Sequence, residues 1–316
     1  MGLSKIDWTD AVWNPVTGCT KVSAGCAHCY AERMSKRLAG RAGYPAKHPF
    51  AVTLHPDRLD EPLRWRKPRR VFVCSMGDLF HEDVPDGFIH QVFATMELAR
   101  GNTYQVLTKR PERMAEFVAH RWSHPEPHIW FGTSVENQAT ADECIPHLLR
   151  CPAAVRFVSY EPALGTVDFD NGCNSWLTCD GRNREANEGE CCESYATSGE
   201  CFHGIDWIIA GGESGPRARP AHPDWFRSVR DQCAAAGVAF WFKQWGEWSP
   251  TSAQWGPRES LVCECGVADL KPNTFGEHRA VCYLNATFMK RVGKHAAGRL
   301  LDGVEHREWP KGGENA

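Results

Sequence analysis

The sequence predicts an α/β protein built on a partial (β/α) barrel, carrying a Cys-rich insertion and a small C-terminal module. Three observations predict it. Short β-branched or aromatic runs alternate with helix-like stretches, the runs end in charged, hydroxyl-bearing or Gly-containing residues, and only two stretches interrupt the alternation. In order, a first strand is expected over 11–16. It is followed by 71–75 (Val-Phe-Val-Cys-Ser), 104–108 (Tyr-Gln-Val-Leu-Thr), 128–134 (His-Ile-Trp-Phe-Gly-Thr-Ser), 155–160 (Val-Arg-Phe-Val-Ser-Tyr), 207–210 (Trp-Ile-Ile-Ala) and 239–243 (Ala-Phe-Trp-Phe-Lys). Helical patterning falls between them, over 88–100, 111–121, 140–149 and 223–236. The barrel is assigned to 1–250. Residues 166–204, rich in Gly, Asn and Cys, are too long for an ordinary strand-to-helix connection and read as an insertion. Residues 251–316 form the C-terminal module, which is expected to end in a basic amphipathic helix over about 285–301 closed by Asp302-Gly303.

The strand ends carry the chemistry. They read Ser75-Met76-Gly77-Asp78, Thr108-Lys109-Arg110, Ser134-Val135-Glu136-Asn137, Ser159-Tyr160-Glu161-Pro162, Gly211-Gly212-Glu213-Ser214-Gly215 and Lys243-Gln244-Trp245. In a (β/α) barrel these ends converge on one mouth, where such folds place their active sites. Polar residues also end strands for structural reasons alone, but six such ends in sequence argue for a site.

Composition is that of a soluble globular protein: 316 residues, 42% hydrophobic, 24% charged, formal net charge -3. Bulk charge therefore names no partner, and a nucleic-acid binder of this composition would have to gather its basic residues on one face. The N-terminus has no apolar core of signal-peptide length and no stretch is long enough to span a bilayer, so a cytoplasmic protein is expected. Fifteen cysteines in that compartment point to metal or cluster ligation rather than disulfides. Cys74 and Cys233 are read as plain core residues.

Three of the cysteines stand together in Gly18-Cys19-Thr20-Lys21-Val22-Ser23-Ala24-Gly25-Cys26-Ala27-His28-Cys29-Tyr30, with C-x6-C-x2-C spacing just after the first strand. Thiolates are the usual ligands of iron–sulfur clusters, and three of them leave one iron of a [4Fe–4S] cube without a protein ligand. A structural zinc site completed by His28 or a remote Cys is the competing reading.

The chain resembles the phage- and bacterium-associated three-Cys-motif family of uncharacterised radical S-adenosylmethionine (SAM)-like proteins. The resemblance rests on Trp13-Asn14-Pro15, the Cys19, Cys26, Cys29 triplet with Tyr30-Ala31, Ser75-Met76-Gly77-Asp78-Leu79-Phe80, Leu107-Thr108-Lys109-Arg110 and Gly132-Thr133-Ser134-Val135-Glu136. It continues through Ser159-Tyr160-Glu161-Pro162, Gly211-Gly212-Glu213-Ser214-Gly215, Phe242-Lys243-Gln244-Trp245-Gly246 and the closing run from Val292 to Gly303. The superfamily's usual spacing is C-x3-C-x2-C with an aromatic residue before the last Cys; here the first gap is longer and His28 takes the aromatic position. The resemblance implies a [4Fe–4S] cluster whose open iron chelates SAM, and whose electron cleaves SAM to methionine and a 5′-deoxyadenosyl radical.

Given SAM, its ammonium needs acceptors, and Ser75, Asp78 and the carbonyls beside them are candidates. Its carboxylate needs a cation, Lys109 or Arg110. The ribose hydroxyls suit Glu136, Asn137 or Glu161, and the Gly211-Gly212 turn would admit adenine or substrate with Glu213 facing the cavity. Glu136, Glu161, Glu213 and Lys243 are the candidate catalytic residues. Lys243-Gln244-Trp245 with Arg217 and Arg219 would bind an anionic or planar substrate, or else form a Trp-capped barrel with rim cations.

Cys173, Cys179, Cys191, Cys192, Cys201 and His203 crowd the insertion, where a metal would act as a staple. Cys263-x-Cys265 followed by His278-x3-Cys282 resembles a four-ligand zinc pattern with a short first gap. Zinc is expected at both, with auxiliary iron–sulfur clusters as the alternative in the insertion. The leading functional expectation is hydrogen abstraction from a nucleobase, nucleotide or DNA. A zinc-bearing nucleic-acid-binding module without catalysis, and a radical SAM enzyme acting on a three-Cys-motif partner protein, are the alternatives.

Overall fold

A computed structural model describes residues 4, 6–170, 175–177, 204–252, 259–263 and 286–311. The α/β class and the partial (β/α) barrel expected from the sequence are what it has. Its strands are β1 (Ala11–Trp13), β2 (Val16–Thr17), β3 (Thr53–Leu54), β4 (Arg70–Val73), β5 (Thr103–Thr108), β6 (Ile129–Val135), β7 (Arg156–Tyr160), β8 (Trp207–Gly211), β9 (Ala239–Gln244), β10 (Trp248–Pro250), β11 (Glu259–Cys263) and β12 (Ala286–Arg291). Its longer helices are α1 (Tyr30–Leu38), α2 (Asp86–Leu98), α3 (Pro111–Arg121), α4 (Gln138–Leu149) and a helix over Pro223–Ala236.

The main sheet has seven strands in the order β1-β4-β5-β6-β7-β8-β9. Pairing is parallel from β1 through β4 and β5 to β6, and again between β8 and β9. Every residue of β6, β7 and β8 is buried, polar ones such as Thr133, Arg156 and Ser159 included, as in strands covered on both faces. The chain divides into two compact units. The first comprises Met1–Ser134, Glu143–Phe157 and Lys311–Ala316; the second comprises Val135–Asp142 and Val158–Pro310.

In the first unit the expected single strand over 11–16 is two. β1 joins the main sheet, whereas β2 turns to pair antiparallel with β3. Asn14 and Pro15 stand at the break; Asn14 Oδ1 accepts from Ser75 Oγ at 3.2 Å and Met76 N at 2.9 Å, so the chain leaves the sheet to brace the end of β4. The core around it is aromatic, with Trp13, Tyr104, Trp130 and Phe131 buried. Cys74 is buried as expected.

In the second unit the helix over Pro223–Ala236 has local signals at both ends. Pro223 occupies its first turn, His222 Nδ1 accepts from Asp224 N, and Gly237 closes it at φ 69 in the left-handed region. Cys233 is buried on it, again as expected. Beyond β9 the chain forms an antiparallel sheet in the order β10-β12-β11. The basic helix expected over about 285–301 is therefore corrected. Ala286–Arg291 is strand β12, paired on both sides, and only Lys294–Ala297 is helical. Gly293 at φ 89 separates the two, a backbone setting that a continuing helix of L residues does not adopt. The C-terminal segment then returns along β9, where Phe242 N donates to His306 O at 3.0 Å and Glu308 N to Phe240 O at 3.1 Å. An edge strand that would otherwise offer open donors and acceptors is thereby covered.

Candidate thiol site and strand-end clusters

The thiol loop begins where a side chain cannot fit. Gly18 sits at φ 83, and a Cβ there would meet Ala51 O at 2.2 Å. Gly18 also bridges in parallel to Gly77, whose own Cβ would press on Thr17 and Gly18 backbone at 3.0 Å. The two glycines bring the start of the loop directly against the turn after β4. From there Cys26 ends a single 3-10 turn and Cys29 is the residue directly before α1. Tyr30 OH hydrogen-bonds Ser75 O, and Lys21 bridges from the loop to Glu32 on α1 at 3.3 Å.

Cys19, Cys26 and Cys29 are half-buried, whereas Cys74, Cys144, Cys151, Cys233 and Cys263 are buried. Cys19 has the most developed surroundings. Arg110 donates from one terminal nitrogen to Cys19 Sγ at 3.3 Å and to Asp78 Oδ2 at 3.3 Å, and from the other to Thr20 Oγ1 at 2.8 Å. Its Nε donates to Glu82 Oε2 at 3.0 Å. Burial pushes the Cys19 thiol up to about 11, the charges of Asp78 and Cys26 add to this, and the Arg110 guanidinium opposes it.

Asp78 is itself buried and saturated. Oδ1 accepts from Phe80 N at 3.0 Å and Thr108 Oγ1 at 2.7 Å, and Oδ2 accepts from Lys109 N at 3.1 Å besides Arg110. It ties the end of β4 to the end of β5 and fixes the direction of Arg110. His81, fully buried, accepts at Nδ1 from Asp83 N at 3.1 Å, which leaves Nε2 to donate to Thr20 Oγ1 at 2.9 Å. Burial and the Arg110 charge hold its pKa below the ordinary histidine value, so it is the neutral ring. Sequence reading thus placed Cys19, Ser75, Asp78, Lys109 and Arg110 at adjoining strand ends but gave no role to Asn14, Thr20, Tyr30, His81 and Thr108, which hold them there. The only advance signal for His81 was its position directly after Asp78-Leu79-Phe80.

The second unit has its own strand-end cluster. Lys243 Nζ reaches Glu161 Oε2 at 2.7 Å and Oε1 at 3.0 Å, and Gln244 Nε2 donates to Glu161 Oε1 at 3.1 Å and Ser214 Oγ at 2.8 Å. Successive residues of a strand ordinarily face opposite ways. Here the register skips Lys243: Ala210 pairs with Phe242 and Gly211 with Gln244. This bulge turns Lys243 and Gln244 to the same carboxylate. Gly212 and Gly246 allow the two strand ends to touch, since a Cβ on Gly212 would meet Trp245 O at 2.1 Å and one on Gly246 would meet Glu213 O at 2.1 Å.

Other residues read as site groups have structural partners. Glu213 is buried and takes Arg219 in a bidentate pair, at 2.9 Å and 2.8 Å, plus the Arg219 N–H at 2.8 Å. Asn137 Oδ1 accepts from Thr140 N at 3.1 Å, capping α4. Glu136 is fully buried. Trp245 is a core residue, not an open stacking surface: it lies edge-on to Phe226 and Phe242, with its indole N–H on Leu300 O at 2.9 Å.

Among the described residues no three His, Cys, Asp or Glu side chains are grouped as ligands of a single ion. Of the expected zinc ligands, Cys263 is buried in β11 and packs with Leu261, Ala286 and Phe288. Cys265, His278 and Cys282 lie outside the described residues, as do Cys173, Cys179, Cys191, Cys192, Cys201 and His203.

Among solved structures the chain is similar to spore photoproduct lyase complexed with dinucleoside spore photoproduct, with a TM-score of 0.38 and 10% identity over 88% of this chain and 67% of that one. It is also similar to a cysteine-to-serine mutant of spore photoproduct lyase, with a TM-score of 0.40 and 10% identity over 81% of this chain and 68% of that one. No curated protein matches the sequence. Residues 3–310 match the model of a family described as protein of unknown function, DUF5131, and the chain belongs to that family.

Proposed function

We propose that the chain is a radical SAM enzyme of the three-Cys-motif kind, in which Cys19, Cys26 and Cys29 hold a [4Fe–4S] cluster and the substrate is a nucleobase, nucleotide or nucleic acid. One observation carries this reading. Three half-buried thiols share one short loop whose start meets the turn after β4 and Arg110 after β5, while the other described cysteines are buried. The donor set fits the group, being all sulfur, which suits iron–sulfur clusters. A cube takes each thiolate on a different iron, so its ligands need not converge on a point as those of one zinc ion must. When bound, such a cluster supplies an electron to SAM and a coordination position for it.

The chain's own residues prepare the loop for that group. Arg110 places positive charge on the Cys19 sulfur, and Asp78, held by Thr108 and two backbone N–H groups, keeps Arg110 aimed there. Lys109 and Arg110 supply cations for a carboxylate at the same strand end. Asp78 is better read as the anchor of Arg110 than as an ammonium acceptor, because its oxygens already accept from four donors.

Anaerobic reconstitution with iron and sulfide tests the reading. The wild-type protein should take up four irons' worth of cluster signal and, once reduced, convert SAM to 5′-deoxyadenosine and methionine. Replacing Cys19, Cys26 and Cys29 together by Ala should abolish both with an unchanged circular dichroism spectrum. Retention of the cluster in that variant overturns the ligand assignment. Absence of 5′-deoxyadenosine from protein shown to hold a reduced [4Fe–4S] cluster overturns the activity.

A further inference from the structure

A chain of net charge -3 that binds nucleic acid has to collect its cations locally, and the first unit does so away from the thiols. Residues 64–70 read Arg64-Trp65-Arg66-Lys67-Pro68-Arg69-Arg70, a basic run without a carboxylate. Two of its cations are already matched. Arg64 pairs with Asp60, and Arg70 holds Asp10 through two nitrogens at 3.1 Å each. Arg66 and Lys67 are exposed and form no ion pair among the described residues. Arg69 lies over the Trp65 ring, 5.4 Å from its centroid.

This run faces the turn between α2 and β5. Between them is a cavity of about 310 Å³ whose lining includes Leu63, Trp65, Arg66, Lys67, Leu98 and Arg100. Leu98 is 75% exposed and Leu63 48%, the opposite of what a closed core requires. Arg100 adds a further exposed cation, its Nε donating to Glu97 O at 2.9 Å and a terminal nitrogen lying 4.0 Å from Glu126. The groove thus combines an aromatic ring and two open leucines with cations around the rim.

Its place in the fold separates it from the thiol loop. The run leads into β4 and the turn leads into β5, so the groove lies at the N-terminal ends of the strands whose C-terminal ends carry Asp78 and Arg110. At about 3.3 Å per residue, β5 alone sets the two roughly 20 Å apart. A small molecule in the groove cannot touch the thiols, whereas a polymer held there can extend beyond it.

We propose that this groove anchors single-stranded nucleic acid, with Arg66, Lys67 and Arg100 on backbone phosphates and an unpaired base against Trp65 and Leu98. Single strands are bound by such a pairing of cationic track and aromatic surface. A duplex keeps its bases stacked inside and would leave the apolar walls unmet. A lipid surface suits a protruding apolar face better than a concave one. The proposal does not depend on the cluster.

Fluorescence anisotropy with a short labelled polythymidine strand tests it on the full chain at several salt concentrations. The double variant Arg66→Glu, Lys67→Glu should bind about tenfold or more weakly, and its plot of log affinity against log salt should be shallower by about 1.4, near 0.7 for each lost phosphate contact. Leu98→Ala, exposed enough to leave the fold alone, should weaken binding with the slope unchanged. The Cys19, Cys26, Cys29 triple-Ala variant should bind like wild type, which separates this result from the fate of the proposed activity. Equal affinity and slope in the charge-reversed variant overturns the proposal, as does tighter binding to a duplex of the same length, or binding to phosphatidylserine vesicles in place of the strand.

Discussion

Arg110 and Cys19 are joined by a 3.3 Å contact from guanidinium to sulfur, and the same nitrogen is 3.3 Å from Asp78. The arrangement puts a cation between a carboxylate and a thiol that would otherwise repel each other on deprotonation. Arg110 is 12% exposed and Asp78 7%, so the pair is largely desolvated. Removing the cation leaves Asp78 its three neutral donors but no counter-charge. Arg110→Ala should therefore destabilise the protein by about 1–3 kcal/mol, less than the loss of a partner that leaves a charge wholly unsatisfied. Urea denaturation of the cluster-free protein measures it. A change within about 0.3 kcal/mol would mean that Arg110 is free to leave the carboxylate without cost.

Close backbone contact between the ends of β8 and β9 gives a second expectation. A Cβ on Gly212 would meet the Trp245 carbonyl at 2.1 Å, and neither group is a flexible side-chain tip that can move aside. Gly212→Ala should cost about 3 kcal/mol or more, in the upper range of overpacking. Gly87, in the first turn of α2, is the control, since a Cβ there meets nothing within 4 Å. Gly87→Ala should stabilise by about 0.4–1 kcal/mol. Thermal unfolding of both variants decides it, and similar melting temperatures would contradict the geometry.

The central strands were legible because each is a short run rich in β-branched or aromatic residues, a pattern that sequence carries without knowledge of partners. The helix α1 was not, since Glu32, Arg33, Lys36 and Arg37 dominate it and only Ala31 and Ser35 are buried. In the C-terminal module, cations at helical spacing suggested a helix, but strand pairing on both sides of β12 outweighs that local pattern. At the site, residue types at strand ends were readable and their partners were not. Glu213 looks like a cavity carboxylate until Arg219, six residues on, folds back to it; Asn137 looks like a ribose acceptor until it caps α4. Such pairings depend on loop paths, which no periodicity encodes.

The C-terminal turn is held by charge, and that dependence has a sign. Asp302 accepts from Arg227 at 2.6 Å and 3.0 Å and from Arg230 at 2.9 Å. These contacts, the hydrogen bond from Arg227 foremost, hold its carboxyl down at about 2 from an ordinary 3.8. A depressed carboxyl stabilises the fold fully above its unfolded value and loses that contribution as pH falls from 3.8 through about 2. The Asp302 side chain is 38% exposed, so screening limits the effect to less than about 1 kcal/mol. Asp302→Asn keeps a residue tolerated at its positive φ of 53, and should lower the melting temperature slightly at neutral pH. The difference should shrink as pH drops through that window. A difference that grows on acidification would contradict the assignment.

The bulge at Lys243 makes the last prediction, because it turns two neighbouring side chains onto one carboxylate. Lys243 and Glu161 are each 19% exposed and meet at 2.7 Å, a pair desolvated enough to couple and open enough to retain some hydration. Lys243→Met removes the counter-charge and leaves Glu161 with Gln244, which should cost about 1–3 kcal/mol. Glu161→Gln leaves an ammonium that can still reach water along its flexible stem and should cost less. The double variant should be more stable than the sum of the single losses predicts, with a coupling of about 1 kcal/mol measured by urea denaturation. Strict additivity would mean that the bulge places Lys243 beside Glu161 without binding it.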